Sequence, residues 1–207
     1  FELDLRKGKC RSLTAQSRYS HHTPAYSPDG RSIAFLAQDM RRSMDDDQKV
    51  FLLDRATGKL AAWSHWDRNV NPPLKWAADS GSVYFSADDH SRLSVWRLQR
   101  GKREQVVVAP GGTVTEFDVR AGTLVFVRNN MSTAPGVFAA DADGAAVRRL
   151  ESFNDDLMAP IKLGEVKEFT VPGWNREPVQ MWVVYPPDFD PKKKWPMVHN
   201  IHGGPHS

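Results

Sequence analysis

The sequence is poor in the residues that would staple, ligate or anchor a chain. One of its 207 residues, Cys10, is a cysteine, which excludes an internal disulfide and a zinc site built on thiolates. No apolar run approaches the roughly 20 residues that cross a bilayer. The opening FELDLRKGKCRS has neither an initiator Met nor the apolar stretch of a signal peptide, so any address signal is expected outside these residues. Charge of one sign is missing too. Lys and Arg number 28 against 25 Asp and Glu, a net +3, and the basic residues are scattered through RKGK, MRR, RGKR, VRR and PKKK. With no basic block and no interleaved aromatics, nucleic-acid binding is not expected. The 40% hydrophobic and 26% charged content is that of a globular chain able to bury a core.

What the sequence does have is a repeat. TPAYSPDGRSIAFLAQD (Thr23 to Asp39) is echoed by NPPLKWAADSGSVYFSADD (Asn71 to Asp89) and more faintly by VTEFDVRAGTLVFVRNN (Val114 to Asn130). Phe35, Phe85 and Phe126 align. Each copy reads as a strand, a tight turn, a β-rich strand (SIAFLA, SVYFSA, TLVFVR), a polar loop and a third strand (KVFLLD, LSVWRLQ, GVFAAD). A glycine turn then leads to a fourth strand. In SPDG, Pro28 presets φ, Asp29 can bond its own backbone, and Gly30 takes the positive φ; ADSG and RAG are expected to use their glycines likewise. Four antiparallel strands per 40 to 50 residues is the arithmetic of a β-propeller blade. The opening segment matches the third and fourth strands of a preceding blade, so residues 1–156 read as about three and a half blades, too few to close.

After a linker at 157–165 the style changes. EVKEFTV and VQMWVVY read as strands joined by the turn-rich PGWNREP. PPDFDPKKK reads as a surface loop, and WPMVHNI as a third strand running into HGGPHS. Glycines directly after a strand let the backbone turn an N–H into an active site, where it can bond the oxyanion of a tetrahedral intermediate.

These features resemble the prolyl oligopeptidase family of serine peptidases, in particular its dipeptidyl-peptidase and acylaminoacyl-peptidase branches. YPPDFDPKKKWP followed by IHGGPHS carries the most specific part of the resemblance, and SPDG the less specific part. The resemblance implies a mainly β segment: the last blades of a β-propeller, then, over 166–207, the first strands of a truncated α/β-hydrolase domain. It implies that Gly204 gives its backbone N–H to the oxyanion and that His202 orients the loop. It implies short peptides as substrates, no cofactor, and self-association of the whole enzyme. The compartment, cytoplasm or periplasm, is left open.

The nucleophile elbow G-x-S-x-G is missing from all 207 residues. Catalytic Ser, Asp and His are therefore expected beyond Ser207, and the segment alone should be inactive. His199, His202 and His206 do not suggest a metal site, since 199 and 202 would face opposite sides of a strand and no carboxylate is near. The acidic loops Asp45 to Asp47 and Asp88 to His90 both follow a second strand and so share one propeller face. There Asp88 and Asp89 could attract a peptide's cationic N-terminus. His21 and His22 are expected to tie one blade to the next. Trp76, Trp96, Trp174, Trp182 and Trp195 are expected to pack in cores. Two other readings remain: a propeller binding module without catalysis, and a propeller-capped esterase.

Overall fold

The computed structural model describes residues 1–41, 46–108 and 111–201. A hairpin of β1 (Glu2–Asp4) and β2 (Lys9–Arg11) leads into three four-stranded antiparallel meanders. The first sheet contains β3 (Ser20–Tyr26), β4 (Ser32–Gln38), β5 (Lys49–Asp54) and β6 (Leu60–Ala62). The second contains β7 (Val70–Trp76), β8 (Ser82–Asp88), β9 (Leu93–Gln99) and β10 (Gln105–Val108). The third contains β11 (Thr113–Arg120), β12 (Thr123–Asn130), β13 (Thr133–Asp141) and the two-residue β14 (Arg148–Arg149). A one-turn helix α1 (Asp155–Met158) and an irregular stretch precede a last hairpin, β15 (Val166–Pro172) and β16 (Pro178–Val184). The described residues are nearly all in sheet and connecting turns, and the three four-stranded sheets are blades.

The second strand of each blade decides the packing. Residues 32–37 of β4 and 82–87 of β8 are buried without interruption, because a neighbour covers both faces of the sheet. Ala34 and Leu36 join Val83, Phe85 and Ala87 in one core between the first two blades. Tyr84, on the opposite face of β8, joins Leu124 and Phe126 in the core between the second and third. Phe35 packs with Phe51, Tyr19 and Leu13 on the other face of the first blade. The aligned phenylalanines thus all face the preceding unit. Burying a side chain the size of Phe85 contributes about 1.5–3 kcal/mol.

Pro24, Pro72 and Pro73 lie in β3 and β7 at register shifts. Both strands are sheet edges, the place in a ladder where a missing N–H is tolerated. Polar stitches join the blades. The Trp76 Nε1–H donates to Ala25 O (2.9 Å), Asp29 N–H donates to Ser80 Oγ (3.1 Å), and the Arg100 guanidinium donates to Ser32 Oγ (2.9 Å) while packing over Trp63 and Trp76. Tyr84 OH donates to Ala142 O at 2.9 Å.

Three expectations are corrected. In ADSG the positive φ falls on Ser80 (60°), not on Gly81, and the Ser80 hydroxyl accepts from the neighbouring blade. His22 contacts its own neighbour Thr23, and His21 contacts Ser17, four residues back, and the edge of Phe35, so the blade ties are made by Trp76, Asp29 and Arg100 instead. Burial, first of all, with His22 beside it, holds the His21 imidazole below its usual range. WPMVHNI does not form a strand over residues 195–201. Met197, Val198 and Ile201 are exposed, and a strand needs a ladder partner, which the described residues do not provide.

Candidate functional site

Meander connectivity places the β4–β5, β8–β9 and β12–β13 connections on one face of the blades, together with the connections between blades. The β15–β16 hairpin docks on that face. Its register sets Glu168 opposite Trp182, and Gln180, two residues along β16, shares their side of the hairpin. This row meets the β8–β9 tip. Asp89 and Arg92 exchange backbone hydrogen bonds (2.8 and 3.1 Å) around His90 and Ser91, both at positive φ (48° and 57°). Two non-glycine residues in that region mark a turn held against local strain.

The contacts across the junction are polar and mutually supporting. Gln180 Nε2–H donates to His90 O (3.0 Å) and to Glu168 Oε1 (2.6 Å), while Ser91 Oγ–H donates to Gln180 Oε1 (2.8 Å). The Arg92 guanidinium donates to Glu168 Oε2 (3.1 Å) and lies 4.5 Å from the centre of the Trp182 ring. Beside them opens a cleft of about 510 Å³, lined by Arg92 and Trp182, by the backbone at Gly111 and Gly112, and by Asn129 and Met131 among others.

Asp88 and Asp89 lie at the start of the same tip but do not line the cleft. Asp89 is engaged by the Arg68 guanidinium and by His90 Nδ1 (2.8 Å). Burial alone would raise its carboxyl pKa, but the hydrogen bonds from Arg68 and His90 outweigh burial and hold it below the usual range. Asp88 is exposed and accepts one long bond from Asn71 Nδ2 (3.3 Å). The two acidic loops do converge. The Asp47 carboxyl is pushed up, by burial first, against a nearby Lys49, with the charges of Asp46, Asp67 and Asp88 adding to the shift. No group of three or more His, Cys, Asp or Glu able to hold a metal occurs among the described residues.

No family model matches. Dipeptidyl-peptidase 5 of Porphyromonas gingivalis is 30% identical over 188 residues, 88% of this chain and 27% of that protein. The chain is related to the prolyl oligopeptidase family of peptidases. It spans about a quarter of the length of that relative. Among solved structures, an acylaminoacyl peptidase in complex with Z-Gly-Gly-Phe-chloromethyl ketone superposes with TM-score 0.65 at 17% identity, over 81% of this chain and 25% of that one. The β-propeller domain of the trilobed protease from Pyrococcus furiosus gives 0.54 at 18%, over 70% and 41%. A TolB from Agrobacterium tumefaciens gives 0.53 at 18%, over 67% and 51%. These likenesses establish the propeller-blade fold.

Two residues to which the prolyl oligopeptidase resemblance gives roles, Gly204 and His202, lie outside the described residues, as do His206 and Asp45. His199 is described and exposed. Trp76 and Trp96 pack against the core as expected. Trp182 instead lines the cleft, Trp174 is exposed at the tip of the last hairpin, and Trp195 packs at a tilt against Phe189 while its indole N–H donates to Asp190 O (2.9 Å). Sequence reasoning missed Arg68 as the partner of Asp89, and missed the set Arg92, Glu168 and Gln180 altogether. The one local signal for that set was the i, i+2 spacing of Gln180 and Trp182 on a strand.

Proposed function

We propose that the chain is part of a serine-type peptidase that hydrolyses short peptides, from or near the N-terminus, through an acyl-enzyme. The observation that carries this reading is the match to dipeptidyl-peptidase 5 along 88% of the chain, supported by a cleft where the blades meet the C-terminal hairpin. In this reading residues 166–207 open an α/β-hydrolase domain. The Gly204 N–H stabilises the oxyanion and His202 orients its loop. Nucleophile, acid and His come from residues other than these 207. Exposed Asp88, with Asp89 beside it, draws a peptide's cationic N-terminus to the blade face. Asp89 contributes less, since Arg68 already balances it.

A substrate panel tests the reading: peptides with a free N-terminal amine, the same peptides N-acetylated, and aminoacyl esters. Cleavage of free-amine peptides is expected, and Asp88→Asn with Asp89→Asn should raise KM for these substrates alone. Hydrolysis of esters only would favour a propeller-capped esterase. A second reading, a propeller binding module, draws on the likeness to TolB; binding without turnover of any substrate would favour it.

A further inference from the structure

The cleft's charge points to a ligand of sign opposite to the amine. Among its described lining residues Arg92 alone is charged, and no carboxylate lines it. Arg92 has five donor hydrogens, and one of its nitrogens is committed to Glu168. The Trp182 ring, 4.5 Å from the guanidinium carbon, packs against it, and a guanidinium held this way can still offer its remaining N–H groups to a carboxylate. Glu168 does not depend on Arg92 for satisfaction, because its other oxygen accepts from Gln180 at 2.6 Å and its side chain is 37% exposed. Exchanging Glu168 for another carboxylate at Arg92 therefore strands no buried charge. The rest of the wall suits a peptide main chain. Gly112 packs so closely on Asn129 that a Cβ would collide with the Asn129 carbonyl oxygen, which leaves bare backbone there. Thr113, Thr115 and Ser132 also line the wall.

We infer that this cleft binds a peptide carboxylate, read by Arg92 in exchange for Glu168. The carboxylate is either a C-terminus or an acidic side chain. The inference uses the peptidase reading only in taking the ligand to be a peptide. Because its test measures binding without hydrolysis, the two fail separately. Calorimetry, with Trp fluorescence alongside, would compare acetyl-Ala-Ala-Ala with a free C-terminus, the same peptide amidated, and amidated acetyl-Ala-Glu-Ala. One or both acids should bind roughly ten- to hundredfold more tightly than the neutral amide, the worth of a charge-assisted hydrogen bond, and which acid does so identifies the source. Arg92→Gln should abolish the preference. Glu168→Gln should tighten acid binding, an effect that a displaced hairpin would not produce, since that variant breaks the same contact. Equal binding of acid and amide, a preference that survives Arg92→Gln, or unchanged or weaker binding in Glu168→Gln would overturn the inference.

Discussion

Single side chains make checkable commitments, and Glu2 makes the plainest. Its carboxylate accepts from Arg11, Arg55 and Tyr26 OH, tying the first hairpin to the first blade, and these hydrogen bonds lower its pKa from 4.5 to about 2. The tie is fully present above pH 4.5 and is lost as pH falls through about 2. Protection factors of the amides at 2–11, with the intrinsic pH dependence of exchange divided out, should therefore fall over that window, and Glu2→Gln should show the lower protection already at neutral pH. Asp47 has the opposite sign. Burial disfavours its charged form, so Asp47→Asn should stabilise the fold at neutral pH in urea denaturation, with the gain shrinking on acidification. Trp76→Phe removes the indole donor to Ala25 O and should cost about 1 kcal/mol by the same assay.

At the scale of elements, glycine positions report how closely blades approach. Gly144, at φ 88°, turns β13 towards β14, where a Cβ would collide with the Val107 carbonyl oxygen at the end of β10. Gly144→Ala should lower stability by at least about 1–3 kcal/mol, whereas Gly30→Ala, also at positive φ but open to solvent, should lose only the turn strain of about 1–2 kcal/mol. The blades were legible in the sequence because their signals are local: SPDG fixes a turn, and an apolar run with an aligned phenylalanine fixes the strand after it. The junction was not. Gln180 meets His90 across 90 residues and Arg92 meets Glu168 across 76, and nothing near either partner in sequence announces the other. WPMVHNI was misread for a related reason, since strand-like composition does not supply the neighbour that a strand requires. Asp89 read as free acid because its partner Arg68 lies a blade connection away.

For the whole molecule, the blades form a graded stack. Each interface has its own apolar core and a polar stitch, and stability should approximate a sum of neighbouring interfaces. The face that carries the loops holds an acidic patch at Asp47 and Asp88, and beside it a cleft whose one charged lining residue among those described is cationic. The central claim, that these residues belong to a serine peptidase, is tested most directly by treating the native protein with a fluorophosphonate probe and mapping the adduct by mass spectrometry. The account predicts one labelled serine, within a G-x-S-x-G sequence on the same polypeptide as these residues, with peptide hydrolysis lost in step with labelling. An unlabelled protein that still binds peptides would contradict it and leave a propeller that binds without cutting.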